Sequence, residues 1–269
     1  MTALRPKQSL GQNFLVDDNI ARNIVREFRP SDADIVVEIG PGQGALTKHL
    51  AESVGHLIAV EIDSRAIRQL QKQFSSDHIT IVHQDFLELS LSEWKQKFDK
   101  RLRIIGNLPY HITSPVLFKV FEDHASVSDL TIMIQREVAR RIVAQPGTKD
   151  YGILSVFTQY YGEPRSLFDV SPNCFYPKPK VTSTVLSIGL REKYDDSIDD
   201  KLFRLVVKTV FGKRRKTIRN GLKYLPYPQD VIERISSEVT YPLTVRPEQM
   251  TVTDFLGLTK EIKQILDRQ

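Results

Sequence analysis

The sequence predicts an α/β chain: a Rossmann-like domain over residues 1–190, then a small all-helical domain over residues 191–269. Three observations carry this. Short β-branched runs alternate with helix-like stretches from Asp34 to Ile134, as in a parallel sheet covered on both faces. A glycine-rich turn, Gly40-Pro41-Gly42-Gln43-Gly44, stands where the first of these runs gives way to a helix. From Arg191 the strand-like runs stop, and the composition turns acidic and then strongly basic.

Taken in order, Arg5 to Leu15 reads as a basic, irregular arm. Asp17 or Asp18 can cap a helix with Ile20, Ile24 and Val25 on its apolar face, stopped before Pro30. Asp34–Ile39 is the first strand of the alternating series, and Ala45 to Ser53 the helix after it. Leu57–Ile62, His78–His83, Arg103–Gly106 and Leu130–Ile134 are the next four strands. Helical patterns carry Ile67 and Leu70 on one face, and a further one spans Pro115–Phe121. Ser166–Val170 and Val181–Ile188 read as edge strands that can pair antiparallel, with a proline-stiffened loop, Asn173 to Lys180, between them. An acidic linker, Glu192 to Asp200, leads into residues 201–223, which carry nine Lys or Arg and no acid in a helical pattern.

Composition sets bounds. With 269 residues, 41% hydrophobic and 26% charged, the chain can bury a sizeable core. No apolar run approaches the roughly 20 residues of a membrane span, and the start lacks a secretory signal, so a cytoplasmic protein without membrane contact is expected. The single cysteine, Cys174, excludes an internal disulfide and a Cys-cluster metal site, and six scattered histidines show no ligand spacing; no metal is expected. A net charge of +5 is compatible with a nucleic-acid partner.

The candidate site gathers at strand ends. Glu38-Ile39-Gly40-x-Gly42-x-Gly44 fits two cofactors: a dinucleotide, or S-adenosyl-L-methionine. The acid on the strand itself favours the second. Glu61, about twenty residues beyond Gly40, can accept from ribose hydroxyls in either case. Asp85 can accept from an adenine amino group, with Phe86 near the ring. Asn107-Leu108-Pro109-Tyr110 follows the fourth strand of the series, beside the same crevice. There the Asn107 side-chain oxygen and the Leu108 carbonyl can take an exocyclic amine, Pro109 fixes the turn and Tyr110 can stack on the base. The chemistry that fits is methyl transfer to an adenine amine, which needs alignment and a dry site more than a strong base. A paired base must be extruded to reach such a pocket. Phe175 is open to two readings, a second stacking wall or a core aromatic. Lys213, Arg214, Arg215, Lys216 and Arg219 are the residues expected to grip RNA phosphates.

In order along the chain stand Gln12-Asn13-Phe14-Leu15, Glu38 to Gly44, Glu61-Ile62-Asp63, Asp85-Phe86, Gly106 to Tyr110, Gln135 to Ala139, Phe175 to Val181 and Arg214 to Asn220. As a set they resemble the small-subunit ribosomal RNA adenine N6-dimethyltransferases, the KsgA type. The resemblance spans about Lys7 to Gln249. It implies a cytoplasmic enzyme that dimethylates N6 of two adjacent adenosines in a hairpin near the 3′ end of small-subunit ribosomal RNA, late in subunit assembly. It implies cofactor contacts at Asn13, Leu15, Gly40, Glu61, Asp85 and Asn107, with Gly42 and Phe86 beside them. It adds weight to Phe175 as a wall, and makes the amino-terminal arm a lid. The expected partners are that RNA and the small ribosomal subunit, with the enzyme itself a monomer. Competing readings are a resistance methyltransferase of large-subunit ribosomal RNA, a non-catalytic assembly factor on the same fold, and a NAD-dependent oxidoreductase, for which no catalytic His or Tyr–Lys pattern is visible.

Overall fold

The computed structural model describes residues 4–7, 10–191 and 197–268. In chain order the elements are β1 (Phe14–Leu15), α1 (Asp18–Phe28), β2 (Ile35–Ile39), α2 (Thr47–Leu50), β3 (His56–Glu61), α3 (Ser64–Gln73), β4 (Ile79–His83), α4 (Leu91–Phe98), β5 (Leu102–Asn107), α5 (Thr113–Glu122), β6 (Val127–Gln135), α6 (Arg136–Val143), α7 (Ile153–Tyr161), β7 (Gly162–Val170), β8 (Phe175–Tyr176) and β9 (Ser183–Leu190). Then follow α8 (Asp200–Phe211), α9 (Ile218–Leu222), α10 (Gln229–Glu238) and α11 (Val252–Leu266). Two compact units result: the described residues of Met1–Ala139 with Gly162–Glu192, and those of Arg140–Tyr161 with Lys193–Gln269.

The first unit is built on a seven-stranded sheet of order β4-β3-β2-β5-β6-β9-β7. β4 to β6 run parallel; β9 and β7 add antiparallel at the edge, as their alternation predicts. Val36, Val37, Ile58, Ala59, Ile104 and Ile105 have no exposed surface, which is why these strands read as continuous apolar runs. The chain leaves β2 towards β3 and β4, then returns to β5 on the other side. That reversal opens a crevice at the carboxyl ends of β2 and β5. Register fixes what reaches it: Ile39 pairs with Val60 and Gly106, and Glu61 with His83. Gly40, Glu61, Gln84 and Asn107 therefore emerge together.

Asp17 is the residue that caps α1, accepting from the N–H groups of Asn19 and Ile20. Arg103 on β5 holds the other end of that helix, donating to the carbonyls of Phe28 and Arg29 while pairing with Asp34 and Asp129. Several boundaries differ from the sequence reading. The helix expected over 45–53 is confined to Thr47–Leu50, because Gly44 to Leu46 are spent in the turn. β9 begins at Ser183 rather than Val181, and β7 reaches back to Gly162. Residues 192–196 of the acidic linker lie outside the described residues.

The second unit is helical. It takes in residues 140–161, which the sequence reading placed in the first domain. The cause is aromatic packing: the rings of Phe157 and Tyr160 meet Phe203, and Tyr151 meets Phe211. Tyr161, Asp200 and Arg204 add a hydrogen-bonded cluster in which Arg204 donates to both partners. The basic run is not one helix: α8 ends at Phe211, and residues 212–217 form a turn before α9.

Candidate active site

The crevice is lined by the glycine turn, the ends of β3 and β4, the segment Asn107–Ile112 and the arm residues Leu10–Phe14. Gly40 and Gly42 have φ of 62° and 56°, the left-handed region that glycine tolerates. At Gly42 the space matters as well, since a Cβ would stand 2.9 Å from the Phe14 ring. The three glycine N–H groups of the turn are already committed. Gly40 donates to the Val60 carbonyl, Gly44 to the Pro41 carbonyl, and Gly42 to Glu61 Oε2 at 3.0 Å. Pro41 has no N–H. A phosphate cradle needs free N–H groups at this turn. With the three glycine donors taken, this turn offers a phosphate fewer N–H groups than a free glycine loop would.

Glu61 is 5% exposed. Its Oε1 accepts from the N–H groups of Ile62 and Asp63, at 2.9 and 2.8 Å. With Gly42 on Oε2, three of about four acceptor positions are filled by backbone. The carboxylate is thus held rigidly, with Oε2 left to take a further donor. Asp85 caps the short helical turn Phe86–Glu88 through Oδ1, accepting from Leu87 N–H, and lines the crevice. Asp85 is thus a helix cap and a lining residue at once. Phe86 is buried at 4%, whereas Ile62 is 51% exposed and lines the cavity. Ile62, Gln84 and His111 are lining residues that sequence reasoning missed. Ile62 carried a signal, as an apolar residue directly after the strand-end acid.

Asn107 donates from Nδ2 to the carbonyl of Asn13 on the arm, at 3.0 Å. No donor among the described residues is recorded for its Oδ1, so the arm fixes which end of the amide is left to accept. Leu108 N–H donates to the Met133 carbonyl, fastening the turn to β6. Tyr110 is tethered by its hydroxyl to Ser183 Oγ, 3.0 Å away on β9. The arm is pinned in turn by Asp63. That side chain is fully buried and receives Gln12 Nε2 at 3.2 Å and Lys7 Nζ at 3.5 Å. Arg65 hydrogen-bonds Asp63 through Nε and Nη2 and reaches the Arg5 carbonyl. The Arg65 guanidinium holds the Asp63 carboxyl well below the usual carboxylate range. Leu15 packs in the core at 6% exposure and borders a small cleft shared by Glu38, Gly40 and Asn107.

Phe175 is 5% exposed and belongs to the apolar cluster of Leu15, Ile24, Val25 and Phe28. The structure thus gives it the core reading and withdraws it from the crevice wall. β8 pairs antiparallel with β1, Leu15 opposite Phe175 and Phe14 opposite Tyr176. Strand alternation turns one ring inward and leaves Tyr176 60% exposed.

Glu38 is 1% exposed and accepts from Thr47 Oγ1 at 2.7 Å. Burial pushes its pKa up to about 8, against the pull of the Thr47 hydrogen bond. In the second unit, Lys213, Arg215, Lys216 and Arg219 are exposed. Lys213 and Lys216 stand over the Tyr224 ring at 4.4 and 5.0 Å. Arg214 is half-buried and donates to the Lys149 carbonyl, which makes it the most structural of the five. Among the described residues, no group of three His, Cys, Asp or Glu is placed to hold a metal ion. No helix among them is long and apolar enough to cross a membrane.

A fold with these strand ends defines a class of nucleotide-cofactor α/β enzymes. Within that class, residues 3–264 match the family model described as ribosomal RNA adenine dimethylase, and the chain belongs to that family. The ribosomal RNA small subunit methyltransferase A of Aromatoleum aromaticum is 40% identical over 268 residues, covering 97% of this chain and 96% of its own. That of Alkaliphilus oremlandii is 40% identical over 265 residues, covering 96% and 92%. Among solved structures, a dimethyladenosine transferase from Plasmodium falciparum superposes with a TM-score of 0.78 at 23% identity, over 94% of this chain and 98% of that one. The 23S rRNA methyltransferase ErmE gives 0.68 at 25% identity, over 94% and 100%.

Proposed function

We propose that this chain transfers methyl groups from S-adenosyl-L-methionine to N6 of two adjacent adenosines in a hairpin loop near the 3′ end of small-subunit ribosomal RNA. The products are N6,N6-dimethyladenosines, made late in small-subunit biogenesis, in the cytoplasm, by a monomer. The observation that carries this reading is the convergence of Glu61, Asp85 and Asn107 at neighbouring strand ends, with Asn107 Nδ2 tied to the arm. Family membership and relatives at 40% identity support the small-subunit substrate over the large-subunit one.

The residues present fit the cofactor: two carboxylates as acceptors, the exposed Ile62 and buried Phe86 as apolar surface, and a turn whose three glycine N–H groups are already taken. Glu61 would hold the ribose, Asp85 the adenine amine, and Gly40, Asn13 and Leu15 would close round the remainder. Bound, S-adenosyl-L-methionine supplies a methyl group on a positively charged sulfur.

The chain's part is to position the amine. Adenine N6 is a weak nucleophile because its lone pair is delocalised into the ring. Asn107 Oδ1 and the Leu108 carbonyl accept the two N6 protons and favour a tetrahedral nitrogen whose lone pair faces the methyl carbon. Tyr110, tethered through Ser183, presents its ring to one face of the base. Asn107 is not a base; the proton lost from N6 goes to solvent after the new N–C bond forms. In the second unit, Lys213, Arg215, Lys216 and Arg219 grip RNA phosphates, contributing salt-dependent affinity.

The test is transfer of label from methyl-labelled S-adenosyl-L-methionine. Small-subunit particles lacking the modification are expected to take it up on two neighbouring adenosines. Label confined to large-subunit RNA would reassign the substrate.

A further inference from the structure

We propose that a second cavity, contiguous with the crevice, is a subsite for the nucleobase adjoining the target adenosine, and that the exposed ring of Tyr176 is its stacking surface. This rests on the methyl-transfer reading above. The cavity is bordered by Pro6, Gln12, Tyr110, His111, Tyr176 and Pro177. It shares Gly11, Gln12, Asn13, Tyr110 and His111 with the crevice, so the two spaces adjoin. It touches none of Gly40, Glu61, Asp85 or Asn107, and of the residues assigned to the cofactor it meets only Asn13.

Its chemistry suits a flat heteroaromatic ring. The border offers two tyrosine rings, an imidazole, two proline faces and two side-chain amides, Gln12 and Asn13, with no carboxylate. Every nucleobase has a π-face for stacking, and the Gln12 amide can meet a base edge. Cations that can take flanking phosphates stand close in sequence: Lys178 and Lys180 are exposed just beyond Pro177.

The ring is also pre-set. Burying Phe175 in the core obliges the next residue of β8 to face outward. Pairing with Phe14 and the following Pro177 hold that backbone. The ring stands 60% exposed at the border of this cavity, so its face is open to a base. Neighbouring nucleotides are separated by one backbone repeat, so a base extruded into the crevice brings its neighbour to this mouth. With Tyr176 under that neighbour, a one-nucleotide advance delivers the second adenosine to Asn107. The subsite thereby accounts for modification of an adjacent pair.

The experiment compares wild type, Tyr176→Ala and Tyr176→Phe on small-subunit particles lacking the modification. Methylation at each adenosine is read by mass spectrometry, and cofactor Kd by titration. Tyr176→Ala is expected to raise the KM for particles on the order of tenfold, the scale of a lost base–aromatic stack. It should also accumulate particles methylated on only one of the two adenosines, with cofactor Kd unchanged. Tyr176→Phe keeps the ring and is expected to match wild type. Wild-type kinetics and product distribution in Tyr176→Ala would overturn the subsite. So would a Tyr176→Phe variant as impaired as Tyr176→Ala, or a weakened cofactor Kd, which would make Tyr176 a support of the arm. Failure of wild type itself to label small subunits would sink the underlying reading instead, and is seen separately.

Discussion

The floor and the roof of the crevice are held by different physics. The floor, Gly40, Glu61, Asp85 and Asn107, stands at the ends of parallel strands whose register places each residue. To move one of these residues the sheet must shear. The roof is the arm, residues Leu10–Phe14, which runs into the two-residue strand β1 and its partner β8. It is fastened at one end by Asp63 with Gln12, Lys7 and Arg65, and at the other by the Asn13 carbonyl on Asn107. The floor therefore supplies a fixed geometry, and the roof supplies orientation through a few breakable hydrogen bonds. Substrate and cofactor must enter from solvent, so the movable part belongs in the roof.

The largest expected effect tests the floor. Asn107→Ala removes the free acceptor and the amide that meets the arm. Methyl transfer to small-subunit particles should fall about a hundredfold or more, the scale of losing alignment at the reacting atom. A circular-dichroism melt should stay near wild type, because Asn107 is half-buried at a strand end. A variant retaining half the wild-type kcat would take Asn107 out of the chemistry and leave the floor as a cofactor shelf only.

An intermediate effect tests the roof. Gln12→Ala removes one hydrogen bond to the buried Asp63 and leaves Arg65 to satisfy that carboxylate. A hydrogen bond to a charged group contributes about 1.5–3 kcal/mol, but this one is long and sits on a partly exposed arm, so about fivefold is expected. It should appear as weaker cofactor affinity in a titration and faster proteolysis of the arm, with thermal stability unchanged. Equal cofactor affinity and equal cleavage would show that the Asp63 latch does not set the arm's closure.

The same contrast explains what could be read from the sequence. Gly40, Glu61 and Asn107 were legible because each ends a continuous apolar run, the mark of a strand buried on both faces, whereas Asp85 follows the half-buried edge strand β4 and was placed by its order in the series. The roof was not legible. A two-residue strand has no periodicity to detect. The choice between Phe175 and Tyr176 depends on which of them pairs opposite Phe14, and that is a contact across the fold. Gln12 and Asp63 are far apart in sequence, and the latch between them has no local signature. In the second unit the basic composition was plain, but the break after Phe211 was not. Gly212 there has no positive φ; residues 212–217 turn the chain and α9 packs back so closely that a Cβ on Gly221 would stand 3.2 Å from Val210.

The smallest effect concerns the acid beneath the glycine turn. Glu38 has its pKa raised to about 8 by burial, so at pH 7 it is mostly protonated and neutral. Glu38→Gln substitutes a neutral side chain of the same shape that still accepts from Thr47 Oγ1. Below pH 7 the variant should differ from wild type by less than about twofold in cofactor affinity. The sign of the pH dependence then separates them. A carboxyl whose pKa is raised on folding contributes stability that is fully present below its unfolded value, about 4.3, and is lost as pH rises through 8. Denaturant midpoints of wild type should therefore fall relative to Glu38→Gln across that window and run parallel above it. A difference that instead grew towards low pH would mean that Glu38 is ionised in the folded chain, and that the floor is braced by a buried charge.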